Sequence, residues 1–175
     1  GAWVNTGSTT TEPPLSLNMV KAEGLSGFSD FALGTQYCKV VTNGNDDGIG
    51  SLRFAIAQCS NPEDYIYIAE FIDSIFLVSD TIILDKNLSI FHSGNEKVVI
   101  QTTSSSPVFK TNPGVLITLN NIEIHSGGVA SSKALLNNGN TILWNVDIIN
   151  SIPGEIPVMN TGILEISETV QIKNQ

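Results

Sequence analysis

Cysteine is almost missing from this sequence: Cys38 and Cys59 are the only two in 175 residues. That excludes both a disulfide-dense scaffold and a cysteine-rich zinc module. Charge is scarce too, at 14% of residues, where ordinary soluble domains carry about 25%. What charge there is has one dominant sign. Eight basic residues against seventeen acidic ones leave a net −9 and no basic stripe, so a phosphate backbone would be repelled and no nucleic-acid partner is expected. Long apolar runs are absent: Thr81-Ile82-Ile83-Leu84 is among the longest, far too short for a bilayer, so membrane insertion is not expected either. No Gly-x-Ser-x-Gly elbow, phosphate loop or His-Glu-x-x-His zinc motif occurs, and the chain does not read as an enzyme. No leader peptide is visible, and the opening Gly1-Ala2-Trp3 reads as part of a longer polypeptide.

What remains is a folded, low-charge composition. Hydrophobic residues reach 41%, dominated by Ile, Val and Leu, with Asn, Ser, Thr and Gly filling most of the rest. Strands and tight turns suit that mixture better than helices. The length allows one main domain burying about 70% of its unfolded surface.

Three stretches differ in character. In residues 1–36 a Ser/Thr/Pro/Gly segment, Thr6 to Pro14, precedes two short expected strands, Leu15–Val20 and Phe28–Leu33. These read as terminal strands of a preceding β-domain, packed on the rest because two strands alone are marginal in water. Residues 37–175 form the second expected unit, and it opens with a strand, Val40-Val41-Thr42. A turn follows, Asn43 to Gly50, crowded with residues that tolerate unusual dihedrals. Ser51 sits where an N-cap belongs, and Leu52, Ala55, Ile56 and Cys59 recur at one-face helical spacing until Pro62. This is the single convincing helix, expected over Ser51–Ser60.

The third stretch, from Asp64 onward, repeats. Asn121-Ile122-Glu123-Ile124 returns as Asn145-Val146-Asp147-Ile148, and again, at the same offset, as Thr169-Val170-Gln171-Ile172. Asn87-Leu88-Ser89-Ile90 has the same pattern but stands further from its successor at Asn121, which implies a longer loop there. Apolar–polar alternation marks strands with one buried face, and a fixed period marks a solenoid. The expected fold is therefore all-β: a right-handed parallel β-helix, a pectin-lyase-like solenoid with one short N-terminal capping helix. Ile122, Val146 and Val170 should form one inward column, and Ile124, Ile148 and Ile172 the next. An antiparallel sandwich also has short alternating strands, but it has no reason to keep the same offset twice. The last coil has no helix to cover it, so that uncapped end is expected to be covered by pairing with a second copy of the chain or by the N-terminal strands.

The segment Val40-Val41-Thr42-Asn43-Gly44-Asn45-Asp46-Asp47-Gly48-Ile49-Gly50-Ser51-Leu52-Arg53 resembles the opening of bacterial surface β-helices of the polymorphic-outer-membrane and adhesin type. There a D-S-G-x-G-S-L-R motif leads a short helix that caps the first coil. Asp47 stands where that motif has Ser, while Gly48, Gly50, Ser51, Leu52 and Arg53 match. Gly24 to Gly34 is similar, more weakly, to the last strands of β-domains in large secreted bacterial proteins. The resemblance implies an extracellular or cell-surface location, a long multi-domain parent and no catalytic activity. In that oxidising setting Cys38 and Cys59, separated by a turn and a helix, fit a loop-closing disulfide worth about 3 kcal/mol; two buried thiols are the alternative.

Few side chains suggest chemistry. Parallel β-helices also include polysaccharide lyases and hydrolases, which need converging carboxylates. Asp64, Glu70, Asp73, Asp80 and Asp85 are spread over the first coils and read as solvated turn residues. Asp46 and Asp47 are weak candidates for calcium, against a structural role for one of them beside Arg53. No other cofactor is expected. His92 and His125 both precede Ser-Gly at the exit of strands read as equivalent, where adjacent coils would stack them either as a two-histidine metal site or as turn residues that repeat with the coil. Asn121 and Asn145 share a column and suggest an internal amide ladder. Phe91 and Trp144 read either as rings stacked in the core or as exposed sugar platforms; Trp144 falls at an outward position and is the candidate ligand contact. The reading is a non-catalytic structural or binding module, its partner a carbohydrate or another surface protein, with polysaccharide binding or cleavage as the alternative.

Overall fold

A computed structural model describes residues 39–59, 64–128, 132–167 and 169–174. The two strands expected before residue 37, and Cys38, lie outside the described residues. The described residues form a parallel β-solenoid of about 5 turns with one short helix. Its strands are β1 (Lys39–Val41), β2 (Asp64–Ile68), β3 (Ser74–Leu77), β4 (Ile82–Leu84), β5 (Leu88–His92), β6 (Val98–Thr102), β7 (Phe109–Thr111), β8 (Leu116–His125), β9 (Leu135–Asn137), β10 (Asn140–Asn150), β11 (Val158–Asn160), β12 (Ile163–Ile166) and β13 (Gln171–Asn174). Helix α1 (Leu52–Gln58) lies between β1 and β2.

The pairing defines three lateral faces, every pair parallel. The first runs β1-β2-β5 onto the first half of β8, then the first half of β10 and β12. The second joins β3, β6, the second halves of β8 and β10, and β13. The third is β4-β7-β9-β11. Inside, Ile66, Ile90, Leu119 and Leu143 stack in one column and Ile75, Ile100, Ile124 and Ile148 in another, all fully buried. Stacked parallel strands bury such columns because each coil covers its neighbour's interior side chains.

The constant offset of the repeat holds between β8 and β10 and between β10 and β13, so Ile122 lies beside Val146 and Ile148 beside Ile172. Val146 is fully buried. The third members of the columns differ from expectation. Val170 lies just ahead of the paired segment and is only partly buried against the core, and Ile172 is 46% exposed. Both point inward, but no coil among the described residues covers them from below.

The expected spacing from Asn87 to Asn121 is also corrected. Leu88 pairs with Ile117, not with Ile122, and Ile122 pairs back to Val98. The Asn87–Ile90 unit therefore belongs to the first face, whereas Asn121–Ile124 belongs to the second. Between β5 and β6 the chain makes a turn through Ser93–Lys97; in β8 and β10 it passes from face to face without leaving strand. Asn121 (φ 58°) and Asn145 (φ 51°) make that corner. Asparagine is among the few non-glycine residues that take left-handed φ readily, which gives the repeated Asn a backbone reason.

Candidate functional site

The start of the solenoid is held by a polar hub. Gly48 (φ 90°) and Gly50 (φ 86°) take dihedrals that side chains disfavour, and a Cβ on Gly50 would stand 2.4 Å from Thr42 Oγ1. The Gly50 carbonyl accepts from the Thr42 and Asn43 amides, closing the turn. Ser51 Oγ then accepts from Phe54 N at 3.2 Å as N-cap, and Leu52, Ala55 and Ile56 are buried. Asp46 is buried under this turn. Its Oδ2 accepts from the Val78 and Ser79 amides at 3.2 and 2.7 Å, and its Oδ1 from Arg53 at 2.9 Å. Arg53 also donates to the Asp80 and Thr81 carbonyls. Burial alone would raise the Asp46 carboxyl, but the Ser79 and Arg53 hydrogen bonds outweigh it and hold the group below the usual carboxylate value. Both oxygens are thus filled by protein donors, while exposed Asp47 accepts from its own neighbour, Gly48 N, at 2.7 Å. The pair forms a structural tie, and no cluster of three or more metal-binding side chains exists among the described residues. Cys59, the helix C-cap, is buried.

The two histidines do not meet. His92 is buried on β5, on the first face, with Nδ1 3.0 Å from the Glu96 carbonyl oxygen. His125 ends β8 on the second face, where its Nε2 meets Glu123 Oε1. The longer step on the first face, which sets Phe91 beside Asn120, is what separates them. The Asn pair does form a ladder: Asn145 Nδ2 donates to Asn121 Oδ1 at 2.9 Å, and Asn121 Nδ2 donates to the Gly94 carbonyl at 2.7 Å. A second ladder occupies the corner after β9. The buried Asn137 accepts from Thr111 and Thr141 and donates to Asn160 Oδ1 and the Ile163 carbonyl.

Two outward features have the makings of a site. On the second face Glu123 and Asp147 are register neighbours, and Lys97 pairs with Asp147 at 2.7 Å. The repeat itself placed these carboxylates side by side; attention to the apolar columns hid the polar position between them. On the first face, the outward positions form two rows along the solenoid. One is Val40, Tyr67, Phe91, Asn120 and Trp144; the other is Tyr65, Ser89, Thr118, Ile142 and Glu165. Phe91 meets Tyr67 edge-on at 5.1 Å and Tyr65 at 6.4 Å between ring centroids. Trp144 is 55% exposed and Tyr65 57%. Two of the three tyrosines in the chain thus share this face with one of its two tryptophans, although aromatics make up only 7% of residues. Such rings offer apolar area with little rotamer freedom to lose on binding.

A surface depression of about 420 Å³ between α1 and β4 is lined by Arg53, Ile56, Thr81, Asp85 and Lys86 among others. Its cations are already engaged, Arg53 with Asp46 and Lys86 with the Cys59 carbonyl. No helix of the described residues is long and apolar enough to cross a membrane. The fold thus defines a class, the parallel β-solenoids. Beyond it, no protein-family model, curated protein or solved structure matches this chain.

Proposed function

We propose that this chain is a non-catalytic binding module of an extracellular, cell-surface protein, and that it binds through the first lateral face. The observation that supports this is the register row Tyr67, Phe91, Asn120 and Trp144, which sets aromatic rings and an amide outward on a rigid sheet. Outward aromatics gathered on one face, Tyr65 and Trp144 exposed and Tyr67 and Phe91 half-buried, are the kind of patch that marks interaction sites. The test is an array of immobilised glycans and extracellular proteins probed with the intact chain and with a Phe91→Ala/Trp144→Ala double variant of matched fold. Binding that the double variant loses supports the reading; binding that survives it, or an empty array, sinks it.

The extracellular setting is supported by the resemblance of the Val40–Arg53 segment to adhesin-type β-helices, and a Cys38–Cys59 bridge, which that setting implies, would support it further. Protein exported to an oxidising compartment should show no free thiol by intact mass, and reduction should cost about 3 kcal/mol of stability. Two free thiols would remove that support.

A second reading, polysaccharide cleavage, is favoured by one observation, the adjacent Glu123 and Asp147. They lie past the Asn121 and Asn145 corners, on a different face from the aromatic rows, where Asp147 is buried and Lys97 and His125 already engage them. Incubation of the protein with oligosaccharides should therefore leave chain lengths unchanged, and shortened products abolished by Glu123→Gln would reverse the assignment.

A further inference from the structure

Resting on the proposal that the first face is the binding face, we infer that its ligand is a neutral, linear glycan lying along the solenoid axis across successive coils. The geometry is one-dimensional. Tyr67, Phe91, Asn120 and Trp144 occupy consecutive strands at one register position, and parallel strands lie about 4.8 Å apart. The row from Val40 to Trp144 crosses five strands, and the parallel row lies two positions away along four of them, β2, β5, β8 and β10. That makes a strip roughly 20 Å by 7 Å, under about 200 Å² in area. A stable protein–protein interface takes about 800 Å² from each partner, so a folded partner would leave most of its contact surface unmatched here. A single extended polymer fits the strip's proportions.

The chemistry narrows the polymer. Across both rows the one charged side chain is Glu165, at the β12 end. The whole protein carries net −9, so a uronate chain or a nucleic acid would approach a like-charged molecule without a cation on the strip to hold it. A peptide strand would seek unpaired backbone, yet β2, β5, β8 and β10 are each paired on both sides. A neutral sugar ring has an apolar C–H face and a rim of hydroxyls. The strip supplies both complements: rings at Tyr65, Phe91 and Trp144 for the faces, and Ser89, Thr118 and Asn120 between them for the hydroxyls. Phe91 and Trp144, with Asn120 between, stand about 10 Å apart, so successive rings of one chain would reach successive contacts.

Isothermal titration of the full chain tests this, using hexasaccharides of β-1,4-linked glucose, xylose and mannose and a hexasaccharide of galacturonate. At least one neutral hexasaccharide should bind, about tenfold tighter than its disaccharide because more of the strip is covered. Trp144→Ala should weaken it about tenfold at an unchanged melting temperature, while Trp144→Phe should stay within about threefold. Phe91 packs against Tyr67 and Tyr65, so Phe91→Tyr, which keeps a ring, serves as its folding-safe partner and should also bind. Tighter binding of galacturonate, affinity independent of length, full binding by Trp144→Ala, or no binding by any neutral hexasaccharide would overturn the inference. An array protein captured only when Trp144 is present would overturn it as well, yet leave the binding-face proposal standing.

Discussion

The two edges of the solenoid are built from the same kinds of residue and end in opposite states. At the β1 edge, Val41 points inward and is fully buried, with α1 packed against the strand and Leu52 completely enclosed. At the β12–β13 edge, Ile166 and Ile172 hold equivalent inward positions, paired to Leu143 and Ile148, yet are 51% and 46% exposed while those partners are at 0%. Inward orientation is set by register; burial is set by the next layer. In a stacked fold these are separate quantities, and a strand can have the first without the second.

The largest effect should come from the covered edge. Leu52→Asp would bury an unpaired carboxylate where no donor waits, and should cost several kcal/mol, read as a collapse in melting temperature or a failure to fold. A protein that melts normally with this change would mean that α1 contributes nothing to the edge. Next, one truncation can be compared at two layers of one column. Ile148→Ala should cost about 2–5 kcal/mol, whereas Ile172→Ala, at a half-exposed site, should cost about 1 kcal/mol or less. Equal costs in urea unfolding would show that the last layer is covered in solution, as a second copy of the chain would cover it.

The last of these effects sharpens the covered edge by pH. Asp46 has its folded pKa held below the ordinary value, so its contribution is fully present above about pH 4 and is lost as pH falls through the depressed value. Asp46→Asn should therefore lower stability by about 2 kcal/mol near pH 7, and the gap to wild type should narrow on acidification below about pH 4. A gap that stays constant to about pH 2.5 would assign the loss to geometry rather than charge.

Much of the fold was legible because its signals are local or periodic. The Ser51 cap, the one-face spacing of Leu52, Ala55 and Ile56, and the recurrence of the Asn121–Ile124 pattern each have a direct physical cause. The wider spacing back to Asn87 misled because Asn87–Ile90 and Asn121–Ile124 share a pattern of small, apolar and polar residues but sit on different faces. Alternation reports which side of a strand is buried, not which face of a three-sided coil it occupies. The candidate site was legible as two separate rings, Phe91 and Trp144, and not as one surface. Tyr65, Tyr67 and Phe91 lie far from Trp144 along the chain, and only the pairing, with its change of step between β5 and β8, aligns them.

The constant step between β8 and β10 bears on how such a molecule can change over generations. The segment from Asn121 to Trp144 contains one left-handed corner asparagine, a strand segment of each face and the outward Trp144 ring. A tandem copy of that segment would insert as a whole layer that keeps the register of the layers on either side, its residues stacking on their own originals. The reach of the aromatic strip is then a matter of copy number: a lineage could lengthen it by duplication, without a single compensating substitution in the layers on either side.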